Sequence, residues 1–135
     1  MVNKALPLVL TIFVALLLVT AACSGCNTAP FDLASIPLER ALSSGKPTLA
    51  EFGSSTCIPC KEMKPILEEL AKEYEGKLNV VIVEVYEQMD LTRQYGIMAI
   101  PTQIVFDSEG QEITRHMGFL PKEEIIAQLK EMGID

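Results

Sequence analysis

The sequence predicts an α/β domain in which a central mixed β-sheet carries helices on both faces. Three observations lead there. From Thr48 onward, short apolar and β-branched runs alternate with stretches whose apolar residues recur at helical spacing. The last two runs are separated only by a glycine-containing turn, which makes them a hairpin. A helical pattern then closes the chain. Alternation brings strands together in parallel through crossovers, and the hairpin adds antiparallel pairing.

Each element follows from its own stretch. Ile36 to Ser44 (IPLERALSS) allows a short helix, stopped by Gly45 and Pro47. Thr48 to Phe52 (TLAEF) is mostly apolar between turn residues and predicts a buried strand. Met63, Ile66, Leu67, Leu70, Ala71 and Tyr74 then form one helical stripe, with charged residues largely on the other side and Gly76 at the end. Pro65 lies inside that pattern, which predicts one lost backbone bond and a kink. Val80 to Val83 (VVIV) reads as a strand covered on both faces. A short helix is expected over Leu91 to Tyr95. Gln103 to Phe106 and Glu112 to Met117 flank the turn DSEGQ. Pro121 opens a last helix in which Ile125, Ile126, Leu129 and Met132 share a face. The predicted order is α-β-α-β-α-β-β-α.

The residues ahead of this domain have another character. Ala5 to Ala22 (ALPLVLTIFVALLLVTAA) carries no charge, Lys4 precedes it, and small residues stand before Cys23. That is the form of a secretory signal. It leaves three outcomes: cleavage near Ala22, cleavage before Cys23 with lipidation of that cysteine, or retention as a membrane anchor. "TAAC" resembles a bacterial lipobox, with Thr20 where that motif prefers Leu. Residues 1–22 are therefore expected to be a signal or anchor, 23–33 a flexible tether, and 34–135 the folded domain. The chain of 135 residues has 18 Asp+Glu against 11 Lys+Arg, net charge −7. Nothing resembles a basic patch, so no nucleic acid is expected as a partner.

The chemistry points to Cys57-Ile58-Pro59-Cys60, which falls where the first strand passes into the long helix. Free amides and the positive end of the helix dipole favour a thiolate at Cys57. A thiolate is the species that attacks disulfides. Pro59 suits an early helical position, where its missing N–H is no loss. Cys57 would open a partner disulfide and Cys60 would resolve the mixed disulfide. Two other readings stand beside this one. A zinc site wants four ligands, and the other pair, Cys23 and Cys26, lies beside the leader, while the single His116 is distant in sequence. An inert pair of buried thiols would need neither the proline nor the junction. The redox reading thus leads, with no metal and no cofactor expected. Lipid on Cys23 is the expectation there, with Cys26 idle or capable of an incidental disulfide.

A family resemblance supports this reading. "CIPCKEMKPILEELAKEYEGKLNVVIV", "YGIMAIPT" (Tyr95 to Thr102) and Gly118 occur in the order and spacing of thioredoxins. The run from Ala34 to Gly133 resembles thioredoxin and its exported relatives, which implies the thioredoxin-like fold. The resemblance implies that Cys57 is the nucleophile and Cys60 the resolving cysteine, with a redox disulfide between them. It makes Pro101 a cis-proline and Ile100 the residue whose backbone pairs with bound substrate. Thr56, Ile58 and Pro59 complete the expected substrate-binding rim, and Met98 and Ala99 lie beside Pro101. Glu51, six residues before Cys57, maps to the family's buried acid. A carboxyl in an apolar strand titrates high enough to take the Cys60 proton. The pattern departs at Gly53 and Thr56, where the family usually has Trp, and at Ile82, where it often has Lys.

Proline at the third place of the motif resembles the reducing members. The expectation is an exported thiol–disulfide oxidoreductase that reduces protein disulfides, as in cytochrome c maturation or disulfide repair. A disulfide oxidase or isomerase would use the same residues in reverse. A membrane-tethered binding module would clip a partner without turnover. Expected partners are disulfide-containing client proteins, a transmembrane thiol electron donor, and the membrane through the leader or a lipid. A monomer on the outer side of the membrane, in the cell envelope, is expected.

Overall fold

The structure, a computed structural model, describes residues 37–135. Signal, tether, Cys23 and Cys26 lie outside the described residues. In chain order the elements are α1 (Leu38–Leu42), β1 (Thr48–Gly53), α2 (Ile58–Glu73), β2 (Asn79–Glu84), α3 (Met89–Gln94), β3 (Thr102–Phe106), β4 (Glu112–Met117) and α4 (Lys122–Glu131). This is the predicted order.

The strands form one four-stranded sheet, β2-β1-β3-β4. β1 pairs parallel with β2, and antiparallel with β3, which in turn pairs antiparallel with β4. Side chains alternate between faces, so the sheet sorts its residues into two cores. Leu49, Val80 and Val105 face Met63, Leu67 and Leu70 of α2 and Ile125 and Leu129 of α4. Ala50, Phe52, Val81, Val83, Ile104 and Phe106 face the other way, against Leu38 and Ala41 of α1, with Leu91 and Tyr95 packed at the margin.

Several boundaries differ from the sequence reading. α1 is shorter than Ile36 to Ser44 suggests, because Pro37 takes the N-cap and the chain turns at Ser43. α3 begins at Met89, ahead of the expected Leu91. Pro65 does lie inside α2, as its place in the apolar pattern predicts, and the helix runs on to Glu73. It lies on the exposed side of that helix. β2, although covered on both faces as its composition predicts, is an edge strand among the described residues. At the opposite edge, no residue of β4 is fully buried. Pro121 caps α4 rather than filling its first turn.

At the start of β1 the sheet is fastened to α1 by one side chain. The Asn79 amide donates to the Ala41 carbonyl (3.1 Å), Ser44 Oγ (2.7 Å) and Thr48 Oγ1 (3.2 Å). Among the described residues no helix is long and apolar enough to cross a membrane.

Candidate functional site

β1 ends at Gly53, and a tight loop delivers Cys57 to the N-cap of α2. The loop is held from both sides. Ser54 Oγ accepts the Thr56 N–H at 3.2 Å and bonds with Thr56 Oγ1 at 3.0 Å, while the Cys57 N–H donates to the Ser54 carbonyl at 3.1 Å. The Ser55 N–H donates to Glu84 Oε2 at 2.8 Å. Glu84 lies opposite Gly53 in the β1–β2 register, so the end of β2 fixes the entry to the helix.

Cys57 and Cys60 form a disulfide, with Cα atoms 5.3 Å apart. The Cys60 N–H donates to Cys57 Sγ at 3.3 Å. In a reduced pair the same donor, at the positive end of a 16-residue helix, would favour a thiolate at Cys57. Pro59 sits at the second helical position, so no donor is lost there. The two cysteines differ in access. Cys57 is half-buried, whereas Cys60 is 6 % exposed and lies on the sheet-facing stripe of α2, one turn before Met63. An incoming disulfide meets the first sulfur.

The residues on either side of Cys57 in the chain, and Met98 ahead of Pro101, are exposed. Thr56 is exposed, Ile58 is 70 % exposed and Met98 is 89 % exposed. The Ile100–Pro101 peptide is cis, and the Pro101 carbonyl accepts the Gly118 N–H at 2.7 Å. Thr102 Oγ1 donates to the Ala99 carbonyl at 2.7 Å and closes the turn ahead of β3.

Glu51 is sealed into the α2 face of the sheet, 2 % exposed. Burial, and secondarily the negative charge of Glu84, push its carboxyl up to about 8. No lysine answers it on β2, where its register partner is Ile82. On β3 its partner is Gln103, also buried. A Cβ on Gly53 would collide with the Glu51 carboxyl group, so the glycine makes room for the acid.

The family model described as Thioredoxin matches residues 33–131. The chain belongs to the thioredoxin family. It is 36 % identical over 104 residues to a thioredoxin of Alicyclobacillus acidocaldarius subsp. acidocaldarius, covering 77 % of this chain and 98 % of that protein. To a thioredoxin of Staphylococcus aureus it is 43 % identical over 77 residues, 57 % of this chain and 73 % of the relative. Thioredoxin-family membership and the close cysteine pair make the chain a thiol–disulfide oxidoreductase, acting on disulfide-containing substrates. The thioredoxin fold brings Glu51, Thr56, Cys57, Ile58, Pro59 and Cys60 to one end of β1, and sets the Ile100–Pro101 turn at the adjoining end of β3.

Three participants in this geometry were not singled out as site residues from sequence: Gly53 as the space for the acid, Glu84 as the anchor of the loop, and Gln103 as the acid's neighbour. Glu51, Gly53 and Gln103 share a face by strand parity, a signal readable only once β1 and β3 are known to pair. Among the described residues no three His, Cys, Asp or Glu side chains gather as metal ligands.

Proposed function

We propose that the protein is an exported, membrane-associated reductant of protein disulfides, with Cys57 as nucleophile, Cys60 as resolving thiol and Glu51 as proton carrier. The bonded pair at the head of α2, with its first sulfur accessible and its second buried, is the observation that carries the reading. In the reduced enzyme the Cys57 thiolate attacks a client disulfide, forming a mixed disulfide and releasing one client thiolate, which takes a proton from water. Cys60 then gives its proton to the Glu51 carboxylate and attacks the Cys57 sulfur. The second client sulfur leaves, and two electrons have passed to the client. The product is the Cys57–Cys60 bond seen here.

The client surface is Thr56, Ile58 and Pro59 on one side of the sulfurs and Met98 to Pro101 on the other. Ile58 and Met98 present exposed apolar side chains to a client, and a thioether repacks easily against different surfaces. Ile100 offers its backbone: among the described residues it makes no hydrogen bond of its own. Electron flow toward the client is supported by Pro59 in the motif. The uncharged leader and the lipobox-like "TAAC" support export and attachment through Cys23 or the leader. An exported reductant needs a transmembrane thiol donor to reload it.

The test combines turnover and potential. The intact chain, in detergent, reduces insulin disulfides; Cys57→Ser abolishes this, and Cys60→Ser accumulates a mixed disulfide with client. A titrated midpoint well below the glutathione poise is expected. A midpoint at or above that poise would favour the oxidase or isomerase reading.

A further inference from the structure

Two polar side chains are sealed on the α2 face of the sheet, from strand positions that stand opposite each other. Glu51 and Gln103 are directly opposed in the antiparallel β1–β3 register, each 2 % exposed. The orientation of the Gln103 amide is set by Met63. Gln103 Nε2 donates to Met63 Sδ at 3.4 Å, and the Leu120 N–H donates to the same sulfur at 3.4 Å. A thioether only accepts, so the amide nitrogen must face Met63 and the oxygen must face elsewhere. That oxygen, Gln103 Oε1, and Oε1 of Glu51 are buried acceptors that no donor satisfies among the described residues. Two bare acceptors cannot satisfy each other, but a neutral carboxylic acid carries an O–H. Directly opposed residues of an antiparallel pair have Cβ atoms about 4.5–5.5 Å apart, a span that Glu and Gln side chains bridge.

We propose that Gln103 is the positioning residue of the buried acid: the protonated Glu51 carboxyl donates its O–H to Gln103 Oε1, and the amide anchored on Met63 keeps the acid loaded with its proton while the disulfide is closed. This rests on the relay reading above and extends it to the return half-reaction. When a donor thiolate attacks Cys57 Sγ, the Cys57–Cys60 bond breaks and its electron pair leaves on Cys60 sulfur. The Glu51 proton passes to that sulfur, leaving the carboxylate that takes the Cys60 proton back in the next turnover. An acceptor on the neutral form favours that form, and the negative end of the amide dipole disfavours the anion. On the elements that flank the acid, Glu84 on β2 is charged and pushes the same way. Ile82 on β2, Met63 and the bonded Cys60 on α2, and Leu120 before α4 add no charge.

The test is a carbon-13 NMR titration of the intact oxidised protein with labelled Glu and Gln side chains, Glu51 being assigned by Glu51→Gln. The Gln103 amide carbon is expected to titrate with the same midpoint as the Glu51 carboxyl carbon. In Gln103→Leu that midpoint is expected to fall by roughly half to one pH unit, the equivalent of one lost hydrogen bond. An amide carbon indifferent to the Glu51 titration overturns the proposal, and this part needs no variant that might misfold by design. An unchanged or raised midpoint in Gln103→Leu also overturns it. The relay itself is judged separately, by the rate of re-reduction with dithiothreitol in Glu51→Gln. An unchanged rate there defeats the relay while the NMR coupling still decides the pairing.

Discussion

The two faces of this one sheet are packed by opposite rules. Toward α1 the inward side chains of β1 and β3 are the apolar Ala50, Phe52, Ile104 and Phe106, with buried Thr48 and Thr102 at the strand ends, whose hydroxyls are both bonded to backbone carbonyls. The Tyr95 ring stands 5.5 Å from both Phe52 and Phe106 and closes that side. Toward α2 the same two strands begin apolar, with Leu49 and Val105, and turn polar as they approach the disulfide, with Glu51 and Gln103. Both buried oxygens without a donor lie on this second face. One side of the sheet holds the fold together. The other gives up part of that stability at one end to hold a proton next to a sulfur pair.

The sharpest way to break the comparison is to weaken the apolar face alone. Phe52→Ala should destabilise the protein by roughly 4 kcal/mol in urea unfolding, while insulin reduction per folded molecule stays at the wild-type rate. A loss of turnover in the folded fraction would mean that the two faces are not separable. Next comes Met63→Leu, a change of similar volume that would ordinarily cost little. Here it strips the acceptor from two buried donors, Gln103 Nε2 and the Leu120 N–H. A loss of roughly 2 to 3 kcal/mol is expected, and a loss below 1 kcal/mol, on that same scale, would show that the sulfur only fills space.

Gly53→Ala should cost roughly 2 kcal/mol, because the new methyl meets the Glu51 carboxyl. Glu51→Asp, one methylene shorter, should relieve most of it. Additive effects in the double variant would contradict the crowding. The last effect is a slope, spread over several pH units. Glu51 is neutral in the folded protein up to about 8, but ionises above its ordinary value once unfolded. The folded state therefore binds the extra proton between the two values, and stability falls as pH rises through that window. The decline attributable to this group is about 1.4 kcal/mol per pH unit at most. Thermal or urea unfolding at several pH values should show a flatter profile in Glu51→Gln.

What could be read without coordinates depended on whether the information is local. The stripe from Met63 to Tyr74 and the β-branched run at Val80 announce their elements, because period and branching act on neighbours in the chain. The cysteine pair announces its chemistry for the same reason, since spacing and the strand-to-helix step are both local. Glu51 needed a family pattern to stand out from a surface glutamate. Gln103 and Glu84 needed the register: each matters only because β3 and β2 set it beside β1. Gln103 opens a four-residue apolar run, where an amide ordinarily faces water. In β4 the exposure of Ile113 and Met117, 46 % and 61 %, likewise follows from the strand's place in the sheet and not from its sequence.

The Asn79 amide has a mechanical consequence. It grips Ala41, Ser44 and Thr48 together at the start of β1, roughly 17 Å from the sulfur end of that strand. Tension applied along the chain ahead of residue 37 meets this knot before it can shear β1 from its neighbours. A pull from that side would be met at the opposite pole of the sheet from the bond that opens and closes.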